Sequence, residues 1–93
     1  DHWDGTMRTA AIVKCPATGI TMTVSTDLPG IQFYAGNFLN GIPGKNGIPM
    51  NKRCGFCLET QYYPDTPHHA SFPSCLFDAG EKAECETIFS FRA

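Results

Sequence analysis

Short stretches in which hydrophobic and polar residues alternate recur along this chain, and a period of two residues indicates half-buried β-strands. The clearest stretch covers residues 20–26, where Ile, Met and Val alternate with Thr and Ser. A second stretch that favours strand lies at 9–14, and Pro-Ala-Thr-Gly at 16–19 between them has turn chemistry. The two stretches are therefore predicted to form an antiparallel hairpin.

Three further strands are predicted, at residues 31–34, 55–61 and 82–92. The last stretch also permits a C-terminal helix that begins at Glu81. Its Thr, Ile and Phe residues favour a strand, which would close one edge of a sheet.

Two stretches rich in Gly and Pro, residues 35–53 and 62–74, are predicted to be surface loops, because such residues interrupt both helices and central strands. The first loop contains the sequence Asn-Gly-Ile-Pro twice, beginning at Asn40 and at Asn46, and we interpret the two copies as similar turns. With strands and loops only, the predicted fold class is all-β.

One carboxylate stands in the middle of a β-favouring stretch, in Gly-Phe-Cys-Leu-Glu-Thr-Gln at 55–61. In a strand, Phe56 and Leu58 would point to one face, and Cys57 and Glu59 to the other. Partial burial raises the pKa of a carboxylate toward neutral pH, which suits a general base. The alternative is an ordinary strand with Glu59 on its solvent-exposed face.

The charge balance argues against some partners. A net charge of −2 and a sequence pI near 5.8 exclude the strongly basic surface that nucleic acids and anionic membranes require. We expect no membrane-spanning segment, because no apolar run approaches about 20 residues. The first residues do not resemble a signal peptide. Five cysteines cannot all pair within the chain, and no Asn-x-Ser/Thr acceptor occurs, so reduced thiols and a cytoplasmic location are expected.

Cys54 and Cys57 have the spacing of a metal or redox pair, and His68, His69 and Cys75 could complete a zinc site. A redox pair with this spacing should open a helix, whereas this one lies at the start of a predicted strand. We therefore expect no metal at these cysteines.

Several blocks, taken in order, resemble the C-terminal part of the aldose 1-epimerases, also called galactose mutarotases. They are Pro-Gly-Ile-Gln-Phe-Tyr-Ala-Gly-Asn-Phe-Leu at 29–39, Gly-Lys-Asn-Gly at 44–47, the block at 55–61, Tyr-Pro-Asp at 63–65 and Phe-Pro-Ser at 72–74. Three features depart from the family pattern: Ala35 replaces the usual Thr, the segment before Gly44 is one residue short, and His68 and His69 replace amides.

The resemblance implies an antiparallel β-sandwich of the galactose mutarotase-like supersandwich type. Residues 1–93 would be the C-terminal portion of this single domain, and the upstream portion of the same enzyme would complete it. The implied activity interconverts the α and β anomers of aldohexoses such as glucose and galactose. The alternative is a non-catalytic β-sandwich fragment that binds carbohydrate or supports a partner chain.

The resemblance also assigns roles to residues. Glu59 would be the general base, and Asp1 and Gln32 would hold sugar hydroxyls. The general acid would be a histidine of the upstream portion, which neither His2 nor the pair at 68–69 matches. Without the resemblance, Gln32 would be interpreted as a buried strand amide and Asp1 as part of a frayed terminus. No cofactor is implied, because opening a hemiacetal needs only proton transfers.

Overall fold

The computed structural model describes residues 2–93, and its regular secondary structure is β-strand apart from two short 3₁₀ turns. In order, its elements are β1 (Arg8–Lys14), β2 (Thr21–Thr26), β3 (Gly30–Tyr34), β4 (Ile42–Pro43), the turn Lys45–Gly47, β5 (Pro49–Met50), β6 (Cys57–Gln61), the turn Thr66–His68 and β7 (Thr87–Arg92). The predicted all-β class is confirmed. Within residues 2–93, no helix is long and apolar enough to cross a lipid bilayer.

Strands β1, β2 and β7 form an antiparallel sheet with β2 in the centre. The predicted hairpin is confirmed as β1 and β2, with an irregular register between Thr9 and Ala11. The predicted edge strand is also confirmed, but it begins at Thr87 and not at residue 82. Thr87 pairs with Thr26, the last residue of β2, so the residues before Thr87 have no neighbouring strand with which to form a ladder.

Strands β3 and β6 form a second antiparallel sheet, in which Gly30 pairs with Gln61 and Tyr34 with Cys57. The loop at 35–53 is largely exposed and holds only the two-residue ladder of β4 and β5, as its Gly and Pro content predicted. In both Asn-Gly-Ile-Pro copies Gly has a positive φ angle, 66° at Gly41 and 75° at Gly47. The interpretation of the copies as similar turns is wrong, because the second begins in the 3₁₀ turn Lys45–Gly47 whereas the first bends at Gly41 and continues into β4.

Three threonine hydroxyls connect the two sheets. The Thr60 hydroxyl of β6 lies 2.6 Å from that of Thr87 in β7, and Thr87 lies 3.4 Å from the hydroxyl of its partner Thr26. Thr26 and Val24 are fully buried on β2. The centre of the described structure is therefore small, and part of it is polar and hydrogen-bonded.

The turn between β1 and β2 changes the chemistry of one cysteine. Cys15 donates its N–H to Ile20 and accepts from Gly19, both at 2.8 Å, and its side chain is exposed. Above all, hydrogen bonding by the Thr18 hydroxyl lowers the pKa of the Cys15 thiol, and backbone N–H groups of Thr18 and Ala17 act in the same direction. At a given pH, the thiolate fraction of Cys15 is therefore larger than that of an ordinary cysteine.

We expect Thr26→Val to lower the free energy of unfolding by about 1–3 kcal/mol, measured by urea titration. The Thr26 hydroxyl donates to the Glu86 carbonyl at 3.0 Å and accepts from the Leu28 N–H at 3.1 Å, and both groups would lose that partner. Thr23→Val is the matched control, because Thr23 lies on the same strand and its hydroxyl makes no hydrogen bond within residues 2–93. Equal effects of the two substitutions would contradict this account of the threonine contact.

We also expect Thr18→Val to move the alkylation of Cys15 by iodoacetamide to higher pH. The lowered pKa maintains a larger thiolate fraction near neutral pH, and the substitution raises that pKa toward its ordinary value. Wild type should therefore react faster around pH 7–8, and the difference should disappear above about pH 10, where both thiols are ionised. Mass spectrometry of the Cys15 peptide provides the rates, and Thr23→Val serves again as the control. A pH profile that Thr18→Val leaves unchanged would refute the assignment.

Candidate functional site

The pairing of β3 with β6 places Gln32 directly opposite Glu59. Directly paired residues of an antiparallel ladder extend their side chains from the same face, with Cβ atoms about 4.5–5.5 Å apart. An amide and a carboxylate therefore stand side by side on one face of this two-stranded sheet. We call them the Gln32–Glu59 pair.

Both side chains of the pair are exposed. Glu59 makes no ion pair within the described residues, and nothing in 2–93 buries its carboxylate. The interpretation of Gln32 as a buried amide is wrong, because β3 is an edge strand of its sheet and this face of it is uncovered. The Gln32 Nε2 atom donates to the adjacent Phe33 carbonyl at 3.0 Å.

The opposite face of the same sheet is apolar. Phe33 pairs with Leu58 across the ladder, and the Phe33 and Phe56 rings lie 6.3 Å apart between centroids. Phe56 and Leu58 thus share the face opposite Glu59, as the alternation predicted. The two-stranded sheet is therefore amphipathic, with the polar pair on one face and aromatic side chains on the other.

The connection that leads from β2 into β3 is capped by the side chain of Arg8. Its guanidinium donates to the carbonyl oxygens of Thr26 at 3.1 Å, Leu28 at 2.8 Å and Pro29 at 3.0 Å. The planar fork of several donors that guanidinium provides suits such a set of acceptors. Arg8 therefore holds the turn where the chain passes from the first sheet to the second.

Two aromatic residues cap the same connection. The Trp3 indole N–H donates to the Asp27 carbonyl at 2.7 Å, and the Tyr63 hydroxyl donates to the Pro29 carbonyl at 3.2 Å. In addition, the Asp27 carboxylate accepts the Glu86 N–H at 3.0 Å, next to the start of β7. These contacts orient β3, and with it Gln32.

Gly30, the first residue of β3, leaves room for an aromatic ring. A Cβ atom at this position would lie 2.9 Å from both Cδ1 and Cε1 of Tyr63, which is closer than real Cβ atoms approach. Beside this ring is a recess of about 330 Å³, lined by His2, Trp3, Tyr63, Ser71, Phe72 and Pro73. We call it the aromatic recess. Nothing in the sequence pattern predicted that Tyr63 would lie over Gly30.

The structure does not bring the remaining described candidates, His68 and His69, into contact with the Gln32–Glu59 pair. Asp1 lies outside the described residues. His68 and His69 both contact the Asp65 carboxylate, the latter at 3.2 Å, so their nearest charged neighbour is not Glu59.

The structure shows no preformed metal-binding site among residues 2–93. No group of three or more His, Cys, Asp or Glu side chains is arranged to hold a metal ion. All five cysteines lie within these residues as free thiols, and four of them are exposed.

Comparison with known proteins identifies the family. The sequence model of the family described as Aldose 1-epimerase matches residues 2–90. The chain is 47% identical to the galactose mutarotase of Homo sapiens over 82 residues, which are 87% of this chain and 24% of that protein. It is 34% identical to the aldose 1-epimerase of Escherichia coli over 88 residues, 92% of this chain and 25% of that protein. The chain spans about a quarter of the length of these relatives. Because the family model covers nearly all of it, the chain belongs to the aldose 1-epimerase family.

Proposed function

We propose that this chain is the C-terminal portion of an aldose 1-epimerase that interconverts the α and β anomers of aldohexoses such as glucose and galactose. The observation that carries the proposal is the Gln32–Glu59 pair, which joins a proton acceptor to a hydrogen-bonding amide on one exposed face. Membership of the family supports it, and so do the similarities to the human galactose mutarotase and the bacterial aldose 1-epimerase.

Each member of the pair suits one step of mutarotation. Ring opening requires a base that takes the proton of the anomeric hydroxyl and an acid that protonates the ring oxygen, and the two groups exchange roles on reclosure. Glu59 is the proposed base, because an ionised carboxylate only accepts hydrogen bonds and protons. Gln32 is the proposed hydroxyl-binding residue, because an amide donates and accepts at once. One of its N–H groups contacts Phe33, which leaves the other and the amide oxygen for a sugar.

Two groups of the proposed mechanism come from outside the described residues. Asp1 is the proposed second hydroxyl-binding residue. The proposed general acid is a histidine in the preceding portion of the family domain, because none of His2, His68 and His69 matches the family's acid. His68 and His69 also contact Asp65 and not the Gln32–Glu59 pair. All steps are proton transfers, so the proposal needs no metal or organic cofactor.

The apolar face of the chain supports the proposal that residues 1–93 are one part of a larger domain. Ile12, Phe33 and Phe56 are 67%, 61% and 50% exposed and line a groove of about 580 Å³. Within residues 2–93, β3 and β6 each pair along one edge only. Uncovered apolar side chains and open strand edges favour association. The proposed occupant of this groove is the preceding portion of the same enzyme.

Composition supports the remaining parts of the proposal. The net charge of −2 gives no reason to expect nucleic acid or an anionic membrane surface as a partner. Free thiols and the absence of a glycosylation acceptor are typical of a cytoplasmic enzyme, so we propose that location.

We expect Glu59→Gln to lower the mutarotation rate by about two to four orders of magnitude, the usual contribution of a positioned acid or base. The substitution removes the proton acceptor and retains the shape, so sugar binding should weaken much less. Polarimetry of freshly dissolved α-glucose or α-galactose measures the rate, using this chain co-expressed with the preceding portion of a family domain. We call this combination the assembled domain.

Glu84→Gln is the matched control, because Glu84 is an exposed carboxylate paired with Lys82 and not with any member of the proposed site. Its rate should equal that of wild type. If Glu59→Gln retained most of the activity, Glu59 would not be the base. If the assembled domain bound sugar but did not interconvert anomers, the non-catalytic alternative would be favoured.

We also expect the chain alone not to accelerate mutarotation above the buffer rate. Without the general acid, the ring oxygen stays unprotonated during ring opening. In addition, within residues 2–93 strands β3 and β6 each lack a neighbouring strand along one edge, so they cannot position a sugar within the tolerance that catalysis requires. Polarimetry of the purified chain, with and without the co-expressed portion, tests this. Full activity of the isolated chain would show that one of its own histidines is the acid.

A further inference from the structure

The ring of Tyr63 lies on the same face of the sheet as the Gln32–Glu59 pair. It occupies the space where a side chain of Gly30 would stand, and residues 30 and 32 of one strand extend to the same face. Two residues along a strand correspond to about 7 Å. The aromatic ring is therefore the next feature along this face after Gln32, at the end of β3 where the aromatic recess begins.

Several contacts hold this ring in place before any ligand binds. Its hydroxyl donates to the Pro29 carbonyl at 3.2 Å, and Phe72 packs edge-on against it with centroids 5.1 Å apart. The backbone carbonyl of Tyr63 accepts the Thr66 N–H at 3.3 Å and also the hydroxyl of that buried threonine. A side chain held at its hydroxyl, at its ring and at its backbone offers a ring surface of fixed orientation.

The aromatic recess has the composition of a site for a small polar ligand with apolar faces. Its lining combines aromatic rings with polar groups from His2 and Ser71, and its volume of about 330 Å³ is at the small end of the range for ligand pockets. A pyranose ring has hydroxyls around its rim and C–H groups on its faces. Aromatic side chains pack against such C–H faces, while polar groups bind the hydroxyls.

We propose that Tyr63 forms the apolar wall of the sugar site and packs against the C–H face of the pyranose whose hydroxyls the Gln32–Glu59 pair binds. Gly30 is the residue that permits this arrangement, because any larger side chain there would displace the ring. This inference rests on the proposed mutarotase function. Tyr63 would bind the substrate by packing against its carbon atoms and would take no part in proton transfer.

Steady-state kinetics of the assembled domain test the proposal. Tyr63→Leu removes the flat ring, so KM for galactose and glucose should rise roughly tenfold while kcat changes little, as expected for a contact made equally in ground and transition states. Tyr63→Phe retains the ring and loses only the hydrogen bond to Pro29, so its KM should return to within about twofold of wild type.

Phe91→Leu is the matched control, because it removes an exposed aromatic ring from β7 in the other sheet, away from the Gln32–Glu59 pair and from the apolar groove, and its KM should not change. If the Tyr63 ring were only structural, Tyr63→Leu would lower the active fraction and hence kcat with KM unaltered, and that outcome would overturn the proposal. An unchanged KM and kcat would overturn it equally.

A measurement on the unmodified sequence covers the case in which Tyr63→Leu does not fold. With tyrosine rings labelled with ¹³C, and the Tyr63 signal assigned from its loss in Tyr63→Phe, addition of galactose should shift that ring signal in the assembled domain. Absence of any shift at saturating sugar would overturn the proposal. Failure of the proposed function is distinguishable, because wild type would then show no activity that depends on Glu59.

Discussion

The capped connection between β2 and β3 is the constraint on which the rest of the structure depends. Within four residues, the carbonyls of residues 26–29 accept hydrogen bonds from Arg8, Trp3 and Tyr63. Backbone carbonyls that lose water on folding need such partners, and hydrogen bonds from a guanidinium are among the stronger ones. Trp3 precedes β1, Arg8 is the first residue of β1, and Tyr63 follows β6. This single turn therefore connects both sheets and the N-terminal segment.

The geometry of the candidate site follows from that turn. The chain enters β3 at Gly30, directly after the last capped carbonyl, and β3 then pairs with β6 so that Gln32 stands opposite Glu59. A slip of one residue in this register would move the carboxylate to the other face of the sheet. The same turn holds the hydroxyl of Tyr63, so one set of hydrogen bonds orients the polar pair and the aromatic recess together.

The small size of the buried centre supports the proposal that these residues are one part of a larger domain. Within residues 2–93, Val24 is the only buried hydrophobic residue, whereas large apolar side chains on β1, β3 and β7 are exposed. The threonine contact joins the two sheets with hydrogen bonds and buries little apolar surface. Acid–base catalysis needs groups held within fractions of an ångström, which requires more packing than these residues supply.

The sequence by itself determined the local structure and the chemistry of the candidate site. The alternation of hydrophobic and polar residues predicted the strands and the two faces of residues 55–61, and Gly and Pro predicted the loops. The family resemblance of the ordered motifs identified Gln32 and Glu59. These signals are local, since they depend on period, turn residues and short spacings. Only the tertiary structure decided features that depend on distant partners. β7 begins at Thr87 because β2 ends at Thr26, and Tyr63 lies over Gly30 although 33 positions separate them in the chain. Exposure of Gln32 and Glu59 likewise follows from what covers their face, which the sequence of a single strand does not contain.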